Sequence, residues 1–386
     1  MYPDLSYLFH DLFGTAPDNW LSIFKTFGLF LLFAFLVSAG LLRSELLRRQ
    51  ALGQFKPNRV TIAAGSGITV YDYLFNGLFG FVLGYKIPYA IANFSRWQQD
   101  PGSVLLSGEG FWWSGLLVAA GFLAYYYSMD RREKDKPAYE KDMYPSDRVG
   151  PITMLAALGG IIGAKVVAIL DVPQNFINDP VGTLLSGDGL AIYGGLIGGA
   201  LFVFFYLRKR GINAVPVMDA VAPALIVGYG VGRMGCQLSG DGDWGTTAGP
   251  QPGWWFLPDW VWAFDFPHNV LRRGVVMADC ELEYCTRLAE AVHPTSVYET
   301  AMAFTIGGIL WALRKRLTAL PGALFSVYLM FNGVERFFIE FARINTRKDF
   351  LGFALSQAQI IAICFVLAGL IGMWLSVRAA REKTLS

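Results

Sequence analysis

Nine apolar stretches restrict this chain to one class of fold, since they are too long and too numerous for the core helices of a soluble domain. They cover roughly residues 21–42, 71–93, 111–128, 152–170, 190–207, 216–235, 297–313, 323–341 and 355–377. A helix needs about 20 mainly apolar residues to cross the hydrocarbon core, where its backbone polar groups must be satisfied within the segment. The expectation is an all-α polytopic membrane protein of about nine transmembrane helices. The 16% share of charged residues supports this, because soluble domains carry roughly 25%. The first twenty residues lack a basic leader ahead of the first apolar run, so no cleaved signal peptide is expected there.

The connectors alternate in charge. Arg43, Arg48, Arg49, Lys56 and Arg59 follow the first run, and Arg131, Arg132, Lys134, Lys136, Lys141 and Arg148 lie between the third and fourth. Arg208-Lys-Arg210, Arg314-Lys-Arg316 and then Arg378, Arg381 and Lys383 follow the fifth, seventh and ninth. Basic connectors stay in the cytoplasm, which places the N-terminus outside and the C-terminus inside. The connector around residues 129–150 reads as a solvated charged segment, and nothing in it suggests nucleic-acid binding.

A repeat is visible at an offset of 79 residues. Asp100-Pro-Gly-Ser-Val-Leu-Leu-Ser-Gly-Glu-Gly110 recurs as Asp179-Pro-Val-Gly-Thr-Leu-Leu-Ser-Gly-Asp-Gly189, and the same offset relates Lys86 to Lys165 and Gly115 to Gly194. The expected division is therefore residues 1–238 with spans one to six, containing a parallel repeat over 83–131 and 162–210. An external head over 239–296 and spans seven to nine over 297–386 complete it. Parallel repeats are common in transporters, so a transporter or flippase for an anionic lipid stands as one reading. Five of the eleven tryptophans fall in the head: Trp244, Trp254, Trp255, Trp260 and Trp262. They suit either loops at headgroup level or a small aromatic core. Cys280 and Cys285 lie on its oxidising side, where a disulfide is expected. Two thiols without a second pair do not make a structural zinc pattern.

The densest concentration of chemistry is Gly228-Tyr-Gly-Val-Gly-Arg-Met-Gly-Cys-Gln-Leu-Ser-Gly-Asp-Gly-Asp-Trp-Gly245. A fixed cation, Arg233, sits where an apolar helix runs into a glycine-rich acidic turn. Intramembrane charges are costly and mark functional sites. The glycines serve either a pocket for an anionic headgroup or a helix-packing seam whose arginine reaches for water. Asn332, Arg336, Glu340 and Arg343 follow at spacings of four, four and three, on one helix face. Either Glu340 neutralises both arginines, or Glu340 fixes Arg336 while Arg233 and Arg336 share a phosphate, to which a guanidinium fork is suited. His293 precedes Pro294, and Ser296 with Glu299 forms a capping-box pattern for the seventh span.

Several motifs together carry a family resemblance. Gly232-Arg-Met-Gly with Gly240-Asp-Gly-Asp-Trp-Gly, Tyr193-Gly-Gly-Leu-Ile-Gly-Gly199, His293-Pro-Thr-Ser-Val-Tyr-Glu299 and Arg336-Phe-Phe-Ile-Glu-Phe-Ala-Arg343 resemble, in order, the signatures of prolipoprotein diacylglyceryl transferases. The resemblance implies a bacterial inner-membrane enzyme acting on phosphatidylglycerol and on preprolipoprotein signal peptides with a lipobox cysteine. Tyr193, Arg233 and Arg336 would be catalytic, and Gly194, Gly195, Asp243, His293, Glu340 and Arg343 would join Arg233 in binding substrate. No metal or organic cofactor is implied, and its partners are membrane lipids rather than nucleic acid. The chain departs from many relatives in having Tyr193 for a histidine, Cys236 for an asparagine and Asn332 for a tyrosine. Lys165 also lies near a position often held by arginine. A catalytically silent membrane scaffold is the remaining alternative.

Overall fold

The computed structural model describes residues 1–385 apart from 63–67, 69, 100–103, 105, 106, 134–136, 138, 186–190, 345–347, 351 and 352. Lys134, Lys136, Arg347 and parts of both copies of the repeated loop thus lie outside the described residues. Each of the nine apolar stretches forms a helix: α1 Thr26–Ala51, α2 Val70–Ala92, α3 Trp112–Glu133, α4 Val149–Asp171, α5 Ile192–Lys209, α6 Ala214–Ser239, α7 Thr295–Leu313, α8 Ala323–Ile339 and α9 Gln357–Leu385. Six of them, α1, α2, α4, α6, α7 and α9, are long and apolar enough to cross a membrane. The described strands occur only as two-stranded pairs. Among these, β1 (Asn58–Ile62) pairs with β2 (Tyr139–Met143), so the connector read as plain solvated chain is partly strand.

The chain forms two compact units, Met1–Phe55 with Asn213–Ser386, and Lys56–Ile212. The second unit holds α2 to α5, and with them both copies of the repeat. In it α2 packs on α3 and α4 on α5. Gly163 and Gly194 lie backbone to backbone, where a Cβ on either would collide with the other's carbonyl. Lys86 donates from Nζ to the carbonyls of Val104 (3.2 Å) and Glu109 (2.9 Å), which satisfies a cation within a span through the loop that follows it.

In the first unit α6 is central, flanked by α1 and α7. Asn213 accepts from Val215 N–H at its start, and Gly240 ends it in the left-handed conformation at φ +66. Ala222 and Ile226 pack with Ala303, Ile306 and Leu310 of α7 and Leu324 and Val327 of α8 as an apolar core. Gly228 faces Ser38, Gly230 faces Ala303 and Phe304, and Gly235 faces Phe30, so these three glycines form the packing seam. At the opposite end from Arg233, buried Asp219 accepts from the N–H groups of Gly322 (2.9 Å) and Phe325 (3.0 Å), which caps the start of α8. Arg49 meets Asp219 at 3.4 Å and Glu45 at 3.0 Å, so this basic-connector residue is itself buried.

Residues 239–294 and the N-terminal segment fold together within this unit. Trp244, Phe266 and Val292 make a small aromatic and apolar core, while Trp254, Phe256 and Trp260 stay exposed. Cys280 and Cys285 form a disulfide with Cα atoms 5.6 Å apart. Tyr284 N–H donates to the Tyr7 hydroxyl at 3.1 Å, and Lys25 reaches Asp4 at 3.1 Å, which ties residues 4–25 to the disulfide loop and to the start of α1.

Candidate functional site

The site is assembled by backbone stitching at one end of the first unit. After Gly240 the chain doubles back through Gly242, whose φ of +97 is accessible mainly to glycine. Gly245 N–H then donates to His293 O at 2.8 Å, and Thr246 N–H donates to Ala342 O at 2.8 Å. A Cβ at position 245 would stand 2.6 Å from Ala342 O and 2.8 Å from His293 O, so only glycine allows both approaches. This loop joins the end of α6, the start of α7 and the turn after α8. It gathers Arg233, Asp243, Glu299, Arg336, Glu340 and Arg343 from segments far apart in sequence.

Glu299 is the hub and is 0% exposed. Arg233 turns Nε and Nη2 onto its Oε2. Its Oε1 accepts from Arg343 Nη1 at 3.0 Å and Arg336 Nη1 at 3.3 Å. Asp243 bridges a second pair, Arg233 Nη1 at Oδ2 and Arg343 Nη2 at Oδ1, the latter at 2.6 Å. Arg336 Nη2 lies 3.0 Å from Glu340 Oε2. The Arg233 guanidinium also lies 5.6 Å from the Tyr229 ring centre, in cation–π range. In the loop, burial alone would raise the Asp243 carboxyl, but Arg233 and Arg343 outweigh it and hold it below its ordinary range. Burial raises the neighbouring Asp241. Three guanidiniums are held together, with Arg336 the most open at 24% exposure; planar forks of this kind suit the oxygens of a phosphate or carboxylate.

The family described as prolipoprotein diacylglyceryl transferase matches the chain over residues 104–375. The chain belongs to this family. It is 28% identical to the phosphatidylglycerol–prolipoprotein diacylglyceryl transferase of Clostridium tetani over 257 residues, 66% of this chain and 89% of the relative. It is equally identical to the enzymes so named in Methylobacillus flagellatus (74% of this chain, 98% of the relative) and Chlorobaculum tepidum (73% and 94%).

Within this member of the family the motif residues divide into three groups. Arg233, Asp243, Arg336, Glu340 and Arg343 meet in the cluster. The four-residue ladder on one helix does not extend to Arg343, because α8 ends at Ile339 and Arg343 turns toward Glu299 and Asp243. Glu340 therefore holds Arg336, while Arg343 takes other acids. His293 stands at the edge of the cluster: its Nδ1 hydrogen-bonds to Trp262 O at 3.0 Å and its ring meets the Trp262 ring edge-on. Tyr193, Gly194 and Gly195 belong to the second unit. Tyr193 is half-buried at the start of α5, Gly194 packs on Gly163 and Val167, and Gly195 packs on Gly160 and Ala164.

The capping box expected from Ser296 and Glu299 does not form. Pro294 precedes the helix without a side-chain cap, and Ser296, already helical, donates to Asp243 O at 3.2 Å. The Glu299 carboxylate goes to three guanidiniums, which bind it more strongly than one backbone N–H would. Sequence reasoning thus missed the hub. Its signal was present: Glu299 is the only charged residue in α7. Cys236 Sγ, Asp241 and Asp243 bring one ligand atom each within 4.8 Å of one another. Arg233 Nη1 lies 3.6 Å from that sulfur, and a fixed cation there disfavours a metal ion.

Proposed function

We propose that the chain transfers the diacylglyceryl group of phosphatidylglycerol to the lipobox cysteine thiol of preprolipoproteins. A thioether forms and glycerol phosphate leaves. The observation that carries this reading is the buried cluster of Arg233, Arg336 and Arg343 on Glu299 and Asp243, within a family member that is predominantly membrane helix. The sulfur attacks the glycerol carbon, the C–S bond forms, and the C–O bond breaks with its electrons passing to the phosphate. Guanidiniums placed at that phosphate stabilise charge that grows in the transition state. A thiol nucleophile and a phosphate leaving group need no metal or organic cofactor for this displacement.

Arg336 is the open guanidinium, and Arg233 and Arg343 flank the Asp243 carboxylate, which a phosphate would displace. Tyr193 would hydrogen-bond the headgroup, and Gly194 and Gly195 would also bind substrate. His293, whose carbonyl accepts from Gly245 N–H, would bind substrate at the edge of the cluster. The remaining elements of the reading are nine spans, an external head over 239–296, an N-terminus outside and a C-terminus in the cytoplasm of a bacterial inner membrane. The alternating basic connectors support that orientation.

Purified protein supplied with phosphatidylglycerol and a lipobox peptide should add a diacylglyceryl mass to the peptide through a thioether. Lipid movement across vesicles with no peptide modified would favour a flippase instead. An Arg336→Lys variant should lose most turnover, because it keeps the charge and loses the fork.

A further inference from the structure

One acid at the cluster has no role in holding it together. Glu335 lies on α8 next to Arg336, is 4% exposed, and neither of its carboxylate oxygens has a hydrogen-bond partner among the described residues. Buried carboxylates are otherwise hydrogen-bonded, so an unengaged one calls for an explanation. The other acids of the site are committed, Asp241 of the loop among them, which accepts from Asp243 N–H at 3.2 Å. Glu299 receives three guanidiniums, Asp243 bridges two, and Glu340 holds Arg336. Its charged and titratable surroundings are Tyr229 and Arg233 on α6, Glu299 on α7, Tyr328 and Arg336 on α8, and Arg343 in the following turn. From α9, which packs behind Gly333, residues 357–376 bring no Asp, Glu, Lys, Arg or His. Glu335 therefore sits one residue before Arg336 on the helix that brings Arg336 to Glu299, buried and outside ion-pair contact with the guanidiniums among the described residues.

The transfer requires a proton acceptor, because the attacking group is a thiol and the reactive form is the thiolate. We propose that Glu335 is the base that takes the thiol proton, an inference that rests on the transferase reading. The S–H proton passes to a Glu335 oxygen as the S–C bond forms. The C–O bond breaks toward the phosphate, and the proton leaves Glu335 with the departing glycerol phosphate, which restores the carboxylate. Arg336, proposed to meet the leaving group, is the next residue to the acceptor on α8.

The experiment uses the full chain in nanodiscs containing phosphatidylglycerol, with a lipobox peptide. The parental protein is assayed first: absence of thioether product refutes the transferase reading, and the base assignment with it. With the parental protein active, Glu335→Gln should lower kcat about 10²- to 10⁴-fold, the usual contribution of a positioned base, and leave KM for the lipid within about twofold. The deficit should shrink by roughly tenfold for each pH unit from 7 toward the thiol value near ~8.5, where solution supplies the thiolate. Formate should restore turnover to Glu335→Ala, and Glu335→Asp should keep part of it, so the assignment does not depend on one variant folding. A Glu335→Gln rate equal to the parental one overturns the proposal, as does a deficit that stays constant with pH. It falls equally if His293→Gln, rather than Glu335→Gln, shows the deficit that closes with pH.

Discussion

Replacing Glu299 by Gln tests the account of the site most directly. The change keeps the shape of the side chain, removes one charge and turns an amide N–H₂ toward guanidiniums that are themselves donors. Glu299 is 0% exposed and serves Arg233, Arg336 and Arg343 at once, so water cannot take its place. Removing one partner of a buried ion pair costs about 3–5 kcal/mol, mainly because an uncompensated charge remains. At about 1.4 kcal/mol per tenfold change, the folded-to-unfolded ratio should fall by a factor of about a hundred to several thousand. Unfolding of the purified variant in mixed micelles measures this. The double variant Glu299→Gln/Arg343→Gln should recover part of the loss, because it also removes one stranded cation. A loss below about 1 kcal/mol for the single change, or strictly additive losses in the double variant, would show that the three arginines do not depend on Glu299.

Four further outcomes follow from particular contacts. Asp243→Asn should lower stability at neutral pH and raise affinity for glycerol phosphate, since it weakens a competitor for Arg233 and Arg343; isothermal titration reads the affinity. Because these arginines hold Asp243 below its ordinary range, its stabilising contribution is present above about pH 3.9 and lost as pH falls through the folded-state value. Asp241→Asn should instead raise the melting temperature at neutral pH, because burial penalises its charge, and the gain should disappear as pH falls below about 3.9. Gly245→Ala should cost about 1–3 kcal/mol in thermal unfolding, as expected for overpacking against two carbonyls. Tyr193→Phe should reduce turnover strongly in the peptide assay while phosphatidylglycerol still binds, whereas parental turnover would make Tyr193 an interfacial anchor.

What the sequence made legible follows the range of each interaction. Apolar length located nine helices, six of them long and apolar enough to cross a membrane, because that property belongs to one continuous segment. Arg233 and Arg336 were visible for the same reason: a cation in an apolar run is an anomaly on the line of sequence. Glu299 was misread because a nearby serine at the right spacing offers a local explanation. Its real partners stand 66, 37 and 44 residues away. Asp219 and Arg49, 170 residues apart, were hidden in the same way. The glycines of the Gly240–Gly245 turn were noticed, but their reasons differ and are not local. Gly240 and Gly242 supply backbone conformations, whereas Gly245 is required by carbonyls from two other segments.

The cluster's charge balance bears on which anion it can hold. Arg233, Arg336 and Arg343 face Glu299, Asp243 and Glu340, so three fixed cations meet three committed carboxylates in the resting site. Free guanidiniums in this buried setting would be costly, so acids must be present before any substrate arrives. These acids are not equivalent. Glu299 and Glu340 are fully buried, whereas the Asp243 side chain is 31% exposed and sits on a loop. Asp243 is therefore the acid that can leave with solvent taking over its hydration. A phosphodiester carries one negative charge, so exchanging it for Asp243 leaves the net charge of the cluster unchanged. A phosphate monoester carries about −1.5 to −2 near neutral pH, and the same exchange then adds negative charge beside Glu299 and Glu340. With the lipid phosphate bound as proposed, this arrangement would match the phosphodiester better than the monoester product, so the charges that admit the lipid would also favour release of glycerol phosphate.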